Sequence, residues 1–417
     1  MNPFSVTKRI YSKIKKHGFL TSISIIKKYG FVNLFLSSLK KEIEIINKDR
    51  IIFNLQDFII YKPFHSENKE PIKKNTINWV IPDFIANGSG GHLNIFRMVS
   101  NLEKLGFENR IIIVEGSHFY SGKEAKTVIE KNYLPEEYLP LKAEVTIGRS
   151  TMLPAEFTIA TEWKTAYPVR DFQSTKHKCY FVQDFEPYFF SPGSFYIFAE
   201  NTYSFGFKGI TAGSWISNKL MKEYKMQCCP LSFSYDKKLY YMNDTERKRV
   251  FFYVRPGTTR RGFELGILAL AELKKRIADA EIILGGASIE NIEIPFDYIG
   301  MGNISITELP EIYNTVKVAL VLSFTNLSLL PYELMACGCA VVINKGENNE
   351  WGINEKICSI VEPDAGKITG AIYSLLTEEK KRKEMVANAL NFINKTDWFS
   401  ESKKMADYLG KISSEKN

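Results

Sequence analysis

The sequence predicts an α/β protein with two doubly wound, Rossmann-like domains in series that face a cleft. A chain of 417 residues exceeds what a single hydrophobic core usually supports. Short apolar runs alternate with stretches of helical period on both sides of residue 247, which favours two parallel sheets covered by helices. The predicted divisions are a basic helical extension (1–50), a connector (51–76), an N-terminal Rossmann-like domain (77–246), a C-terminal Rossmann-like domain (247–397) and a helix that returns to the N-terminal domain (398–417).

The N-terminal domain begins with a strand, a glycine turn, a helix and a second strand within about 40 residues, which is typical of a βαβ unit. Its predicted strands cover residues 77–81, 110–114, 143–147, 157–160, 178–182 and 209–212, and its predicted helices cover 92–105 and 214–224. The C-terminal domain repeats this pattern. Its predicted strands cover 249–254, 281–284, 318–322 and 340–343, and its predicted helices cover 261–276, 308–315 and the stretch from 330. Because both domains alternate in this way, the default binding site is the cleft between them.

The positive charge of the chain is concentrated in its first 50 residues. This segment holds eleven Lys or Arg and three acidic residues, while the whole chain has a net charge of +8. The rest is therefore close to neutral, which argues against a nucleic-acid groove. Apolar residues spaced between the lysines suit helices that lie on an anionic lipid surface, and packing of these helices on the protein itself is the alternative. We expect a cytoplasmic protein, peripheral on the inner face of the membrane.

The cysteines do not indicate a metal site. The six Cys form no CxxC pair and have no His at zinc spacing, so we expect buried thiols and no metal. We also expect no cofactor, because the glycine turn at 87–92 has Leu93 where a dinucleotide fingerprint needs its third glycine. The same turn, with Gly90 and Gly91 before a helix, could hold an anion, or could serve packing alone.

Two carboxylates follow the predicted strand 178–182. Asp184 and Glu186 could act as general base towards a hydroxyl acceptor, or could be ordinary capping and surface acids. Thr161 and Trp163 follow the preceding strand and could contact an acceptor sugar, although core packing is an equal alternative. His92, at the start of the first helix, is the third candidate contact to the acceptor.

The C-terminal domain carries the candidate donor site. Arg255 and Arg261 flank a strand-to-helix turn, where two guanidiniums can clamp a diphosphate. Glu333 lies in the first turn of the helix that follows residue 329, where a carboxylate is favoured and can bind a ribose diol. A capping role is the alternative for Glu333.

Taken together, these motifs resemble retaining glycosyltransferase family 4, which has the GT-B fold, and within it the rhamnosyltransferase-like branch of bacterial surface-glycan assembly. The resemblance extends over residues 77–410 and is carried by Arg255, Arg261 and the segment 331–342. It implies that the two arginines hold the donor diphosphate, that Glu333 binds the ribose, and that Gly90 and Gly91 face the phosphates. The remaining implied donor contacts are Asn326, Ser328 and Leu330.

The sequence departs from this family at two positions. Family members commonly carry a glutamate eight residues before Glu333, and this chain has Thr325 there, so Asn326 or Ser328 would contact the donor sugar. Many relatives have a histidine where this chain has Gln183. The expected function is transfer of a sugar, such as a deoxysugar, from a nucleoside diphosphate to a glycan or lipid-linked glycan. The open alternatives are a GT-B epimerase, a glycan-binding scaffold subunit and a nicotinamide oxidoreductase.

Overall fold

The computed structural model of the protein describes residues 59–85, 90–114 and 118–415. The extension 1–50, residues 51–58 of the connector and residues 87–89 of the glycine turn lie outside the described residues. From Tyr61 onwards the chain forms one compact unit, which contains both predicted α/β domains. No helix within the described ranges is long and apolar enough to cross a membrane.

The first sheet has seven parallel strands in the order β3-β2-β1-β4-β5-β6-β7. These strands are β1 (Thr76–Ile81), β2 (Glu108–Ile113), β3 (Glu144–Ile147), β4 (Ala155–Ala160), β5 (Thr175–Val182), β6 (Lys208–Ala212) and β7 (Cys228–Leu231). Its helices are α1 (Gly90–Lys104), α2 (Gly122–Asn132), α3 (Trp163–Asp171), α4 (Ser194–Asn201) and α5 (Ser214–Tyr224). β1 and β4 are buried along their whole length, as strands covered on both faces by helices must be.

The second sheet has six parallel strands in the order β10-β9-β8-β11-β12-β13. They are β8 (Arg249–Tyr253), β9 (Ile282–Gly285), β10 (Ile299–Gly302), β11 (Val316–Val321), β12 (Ala340–Asn344) and β13 (Ser359–Val361). The helices are α6 (Phe263–Arg276), α7 (Leu309–Asn314), α8 (Leu330–Ala336), α9 (Glu347–Glu350), α10 (Ala365–Thr377), α11 (Glu379–Ile393) and α12 (Trp398–Ser414). The predicted α/β fold with two parallel sheets is confirmed.

One predicted helix boundary is wrong in a way that matters for the site. The sequence predicted a helix from residue 261, whereas α6 begins at Phe263 and Thr259–Arg261 form a short 3-10 turn. Gly262 separates the two with a left-handed φ of 60°. A Cβ there would lie 2.9 Å from the Phe324 ring, so only glycine fits. Arg261 therefore projects from a turn instead of from a helix.

The last helix, α12, lies against the first sheet and α1. Asn101 Nδ2 donates to Ser402 Oγ at 3.0 Å, and the Ser232 N–H donates to the Glu401 carboxylate at 2.8 Å. The Arg97 guanidinium of α1 lies 4.4 Å from the centre of the Trp398 ring. Helix α12 thus joins the end of the chain to the helix that follows the glycine turn.

Candidate functional site

The carboxyl ends of the two sheets meet at a polar interface. Asn326, which follows β11, donates from Nδ2 to the Gln183 carbonyl at 2.9 Å and to the Ala212 carbonyl at 3.0 Å. Its Oδ1 accepts from Trp351 Nε1 at 3.0 Å. The Thr325 hydroxyl donates to Asp184 Oδ2 at 2.8 Å. The loop after β11 is therefore bonded to the loops after β5 and β6.

Three guanidiniums gather beside this interface, on the turn between β8 and α6. Arg255 donates to the Tyr253 hydroxyl at 2.6 Å, and Arg261 donates to Ser323 Oγ at 2.9 Å. Arg260 Nε lies 3.8 Å from Asp184 Oδ2, and this is the one ion pair that the three arginines make among the described residues. Burial lowers the pKa of Arg261, and positive Arg260 and Arg255 lower it further, while Asp184 raises it. The cluster holds more positive charge than its neighbours neutralise, as an anion site requires.

Asp184 is buried and has several partners. Its Oδ1 accepts the Phe185 N–H at 2.9 Å, and its Oδ2 accepts from Thr325 and faces Arg260. Burial raises the pKa of Asp184, while Arg261, the Thr325 hydroxyl and Arg260 lower it. A glutamate at position 325 would place a second carboxylate against Asp184. This contact gives a physical reason for threonine at that position.

Glu333 lies in the first turn of α8 and is half-buried. Burial and, to a smaller extent, the nearby Asp236 carboxylate raise its pKa to about 8, while Arg97 opposes this rise. Asp236 belongs to the segment that leads from β7 to β8, so groups from the first domain and the connecting segment tune the charge of Glu333.

A continuous set of hydrogen bonds leads from the glycine turn to Asp236, the carboxylate that raises the pKa of Glu333. Gln183 Nε2 donates to the Gly91 carbonyl at 3.0 Å, and Asn94 Nδ2 donates to Gln183 Oε1 at 3.2 Å. Arg97 donates to Asn94 Oδ1 at 2.6 Å and to both Asp236 oxygens, the closer at 2.7 Å. Arg97 and Asp236 are fully buried, and breaking such a pair is costly. The position of the turn at Gly91 is thereby coupled to the surroundings of Glu333.

Solved structures with a similar fold cover most of the chain. Sucrose-phosphate synthase from Thermosynechococcus elongatus superposes with a TM-score of 0.63 at 13% identity, over 81% of this chain and 99% of that one. HepE of Anabaena in complex with UDP-glucose gives a TM-score of 0.63 at 14% identity, over 81% and 99%. TarM of Staphylococcus aureus, in a complex that includes UDP, gives 0.63 at 10% identity, over 81% and 100%. The chain has the GT-B fold.

Sequence relatives agree with the GT-B fold. Residues 248–373 match the family described as the C-terminal domain of WsaF. The O-antigen biosynthesis protein RfbC of Myxococcus xanthus is 32% identical over 259 residues, which are 60% of this chain and 20% of RfbC. The chain thus spans about one fifth of the length of this curated relative.

The predicted donor residues occupy different environments in the GT-B cleft. Arg255 and Arg261 lie in the turn after β8, Glu333 lies in the first turn of α8, and Ser328 and Leu330 are half-buried around the start of α8. Gly90 begins α1, and a Cβ there would meet no atom of the described residues within 4 Å. Asn326 differs from these, because its amide nitrogen and oxygen are both occupied by bonds between the domains.

The predicted catalytic and acceptor residues of the N-terminal domain are mostly interior. Glu186 is buried and accepts from the Trp163 N–H at 2.5 Å and the Tyr180 hydroxyl at 3.1 Å. Burial raises its pKa well above the usual value. The Thr161 hydroxyl donates to the Val80 carbonyl, and the side chain of Trp163 is 2% exposed. Burial lowers the pKa of His92 to about 4.

Sequence reasoning missed two parts of this site. Arg260 was passed over between its two neighbours, although three arginines within seven residues are themselves a signal. The Arg97–Asp236 pair joins residues 139 positions apart, and no local pattern predicts such a pair. Within the described ranges, no three His, Cys, Asp or Glu side chains are grouped closely enough to hold a metal ion.

Proposed function

We propose that the protein is a glycosyltransferase that moves a sugar from a nucleoside diphosphate donor to a glycan. The observation that carries this proposal is the cluster of Arg255, Arg260 and Arg261, whose single ion-paired carboxylate among the described residues is Asp184. A diphosphate supplies the negative charge that such a cluster lacks. The cluster also lies at the carboxyl end of a parallel sheet, where open α/β folds bind ligands.

The chemistry would rest on positioning and charge. The arginines would orient the diphosphate and stabilise the charge that develops on it as the bond to the sugar breaks. Glu333 would accept hydrogen bonds from the ribose hydroxyls. Because Asp184 is held by Thr325, the Phe185 N–H and Arg260, we propose that it orients the arginine cluster and the acceptor hydroxyl, with base catalysis as a further role.

Related proteins support a nucleotide-sugar donor and a glycan acceptor. HepE is described in complex with UDP-glucose, TarM with α-GlcNAc-glycerol and UDP, and RfbC as a protein of O-antigen biosynthesis. We therefore propose a polysaccharide or lipid-linked glycan of the cell envelope as acceptor, and a hexosyl donor such as rhamnose. We further propose that neither a metal nor a cofactor is needed, since arginines carry the charge, and that residues 1–50 hold the enzyme at the inner membrane surface.

Epimerisation of a nucleotide sugar is a second candidate activity, and a structural comparison favours it. A Listeria monocytogenes protein named for UDP-N-acetylglucosamine 2-epimerase activity superposes with a TM-score of 0.56 at 10% identity. An epimerase would use the same nucleotide site and would convert a nucleotide sugar without an acceptor. Product analysis without acceptor separates the two activities, because an epimerase inverts C2 of the nucleotide sugar, whereas a transferase leaves C2 unchanged.

A nucleotide screen tests the proposal. The full chain is heated with UDP, dTDP and GDP and with their sugar conjugates, because a ligand of the folded state raises the melting temperature according to ln(1 + [L]/Kd). We expect one base to stabilise the protein and its sugar conjugate to be consumed when a glycan acceptor is added. No shift with any nucleotide would refute the proposed donor site.

A further inference from the structure

An exposed aromatic surface begins four residues after Asp184. Tyr188, Phe189, Phe190 and Phe195 form what we call the aromatic shelf, on the segment from β5 to α4. The side chains of Tyr188 and Phe195 are 43% and 38% exposed. Exposed apolar side chains that cluster, instead of being scattered singly, indicate a binding surface.

The shelf is held in place from beneath. The rings of Phe190 and Phe195 stack with centroids 5.6 Å apart, and Trp163 meets their edges at 5.9 and 6.3 Å. Tyr188 packs on the buried ring of Phe185 at 4.7 Å. Trp163, which the sequence predicted as an acceptor contact, thus supports the shelf from the interior while other rings face outwards.

The shelf adjoins the arginine cluster. The Arg260 guanidinium lies 3.9 Å from the centre of the Phe189 ring, and the same side chain faces Asp184. A molecule resting on the shelf would therefore end beside the groups that we assign to the reaction. This continuity places the shelf on the acceptor side of the site.

The charges around the shelf favour a neutral polar ligand. The Lys219 ammonium lies 5.5 Å from the Tyr188 ring and is paired with Glu223 at 2.9 Å. Glu200 accepts from the Tyr224 hydroxyl nearby, and Lys164 lies beside Trp163. These four groups are two acids and two bases, and the excess positive charge lies at the end of the shelf, where Arg260 contacts Phe189 and the proposed donor diphosphate would neutralise it. A surface for anionic lipid would instead be basic along its length.

We propose that the aromatic shelf binds a sugar ring of the acceptor glycan. A pyranose presents C–H groups on its faces and hydroxyls around its edge, so it can stack on the exposed ring of Tyr188 or of Phe195 while polar groups such as Lys219 and Glu223 receive its hydroxyls. This inference rests on the proposed function, because it names the acceptor subsite of the same cleft. It assigns to the shelf the contact that the sequence assigned to Trp163.

Saturation-transfer NMR on the full chain tests the proposal, with the methyl glycosides of glucose, galactose, mannose, N-acetylglucosamine and rhamnose as probes. We expect transfer to the ring protons of at least one glycoside. The signal should fall at least about fivefold in the double variant Tyr188→Ala, Phe195→Ala, because both exposed rings on which a sugar could stack are removed. Tyr188→Trp with Phe195→Tyr should retain it.

Matched controls come from the same chain. Tyr373 and Phe399 are 39% and 38% exposed on α10 and α12, so their double alanine variant removes equal aromatic surface elsewhere and should leave the signal unchanged. Equal loss in both double variants, or no transfer to any glycoside in the wild type, would overturn the proposal. Flotation with phosphatidylcholine–phosphatidylglycerol vesicles that depends on the shelf, without glycoside binding, would assign it to a membrane instead.

The nucleotide screen on the same variants separates this inference from the proposed function. The shelf variants should keep the nucleotide-induced rise in melting temperature, because neither residue belongs to the donor site. A wild type that binds glycosides through the shelf but binds no nucleotide would refute the proposed function alone. A wild type that binds a nucleotide but no glycoside would refute the shelf alone.

Discussion

The stability of the variant Glu333→Gln should rise relative to that of the wild type as the pH rises. Glu333 has a pKa of about 8 in the folded protein, against an ordinary value of 4.5, because burial and the Asp236 carboxylate disfavour its charged form. Between these two values the folded state holds a proton that the unfolded state has released. The free energy of unfolding contributed by this group is therefore greatest below pH 4.5 and is lost as the pH rises through 8. Glutamine has nearly the same shape as glutamate but does not titrate, so it adds no pH dependence to the free energy of unfolding.

The size of the effect follows from the width of this pH window. Each pH unit inside it changes the free energy of unfolding by at most about 1.4 kcal/mol, so the step from pH 5.5 to 7.5 is worth at most roughly 2.7 kcal/mol. Glu333 is half-buried, and water screening reduces the expected change to about 1–2 kcal/mol. A difference of this size is measurable by equilibrium denaturation.

The assay is urea denaturation of the wild type and Glu333→Gln at pH 5.5, 6.5, 7.5 and 8.5. At each increase in pH, the difference between the free energies of unfolding, variant minus wild type, should become more positive. Glu384→Gln, which alters an exposed glutamate of α11, serves as the control and should follow the wild type at all four values. Parallel curves for wild type and Glu333→Gln would refute the account of Glu333, Asp236 and Arg97 as one coupled group.

Three further substitutions test the interface and the turn. Asn326→Ala removes the bonds to Gln183, Ala212 and Trp351 and should lower the free energy of unfolding by about 2–4 kcal/mol in urea; a loss below about 0.5 kcal/mol would contradict the bonded interface. Arg97→Met leaves Asp236 buried without its cation and should cost about 3–5 kcal/mol, partly recovered by adding Asp236→Leu. An Arg97→Met variant as stable as the wild type would be incompatible with that pair. Gly90→Ala should leave the melting temperature within a few degrees, because its Cβ would meet no atom of the described residues, but should weaken nucleotide binding measured by calorimetry; unchanged binding would exclude a close approach of this turn to the donor.

Much of the fold could be predicted because its central strands are continuous apolar runs. β1, β8, β11 and β12 are buried on both faces, and such strands stand out in the sequence. β10 was missed because its residues Ile299–Gly302 include two glycines and are mostly exposed. Edge strands bury less surface, so the sequence signal for them is weak.

The parts of the candidate site that could be predicted are those that a local pattern marks, such as charged residues directly after a strand. Arg255 and Arg261 could be proposed from the sequence because parallel strands place their following turns at one edge of the sheet, and the structure places both arginines in one such turn. The partners of Asn326 could not be predicted, because they lie more than 100 residues away across the domain interface. Trp163 was misplaced for a related reason. Burial of a residue after a strand depends on what packs over it, here Phe190 and Phe195.

Calorimetric titration of a nucleoside diphosphate tests the central claim most directly. The stabilising nucleotide from the screen is titrated into the wild type, the double variant Arg255→Ala, Arg261→Ala, and the control Arg276→Ala, which alters a partly exposed arginine of α6. Each charged hydrogen bond is worth about 1.5–3 kcal/mol, so the double variant should bind at least about 100-fold more weakly, while the control binds as the wild type does. Equal affinity in all three proteins would contradict the assignment of the arginine cluster to the donor diphosphate.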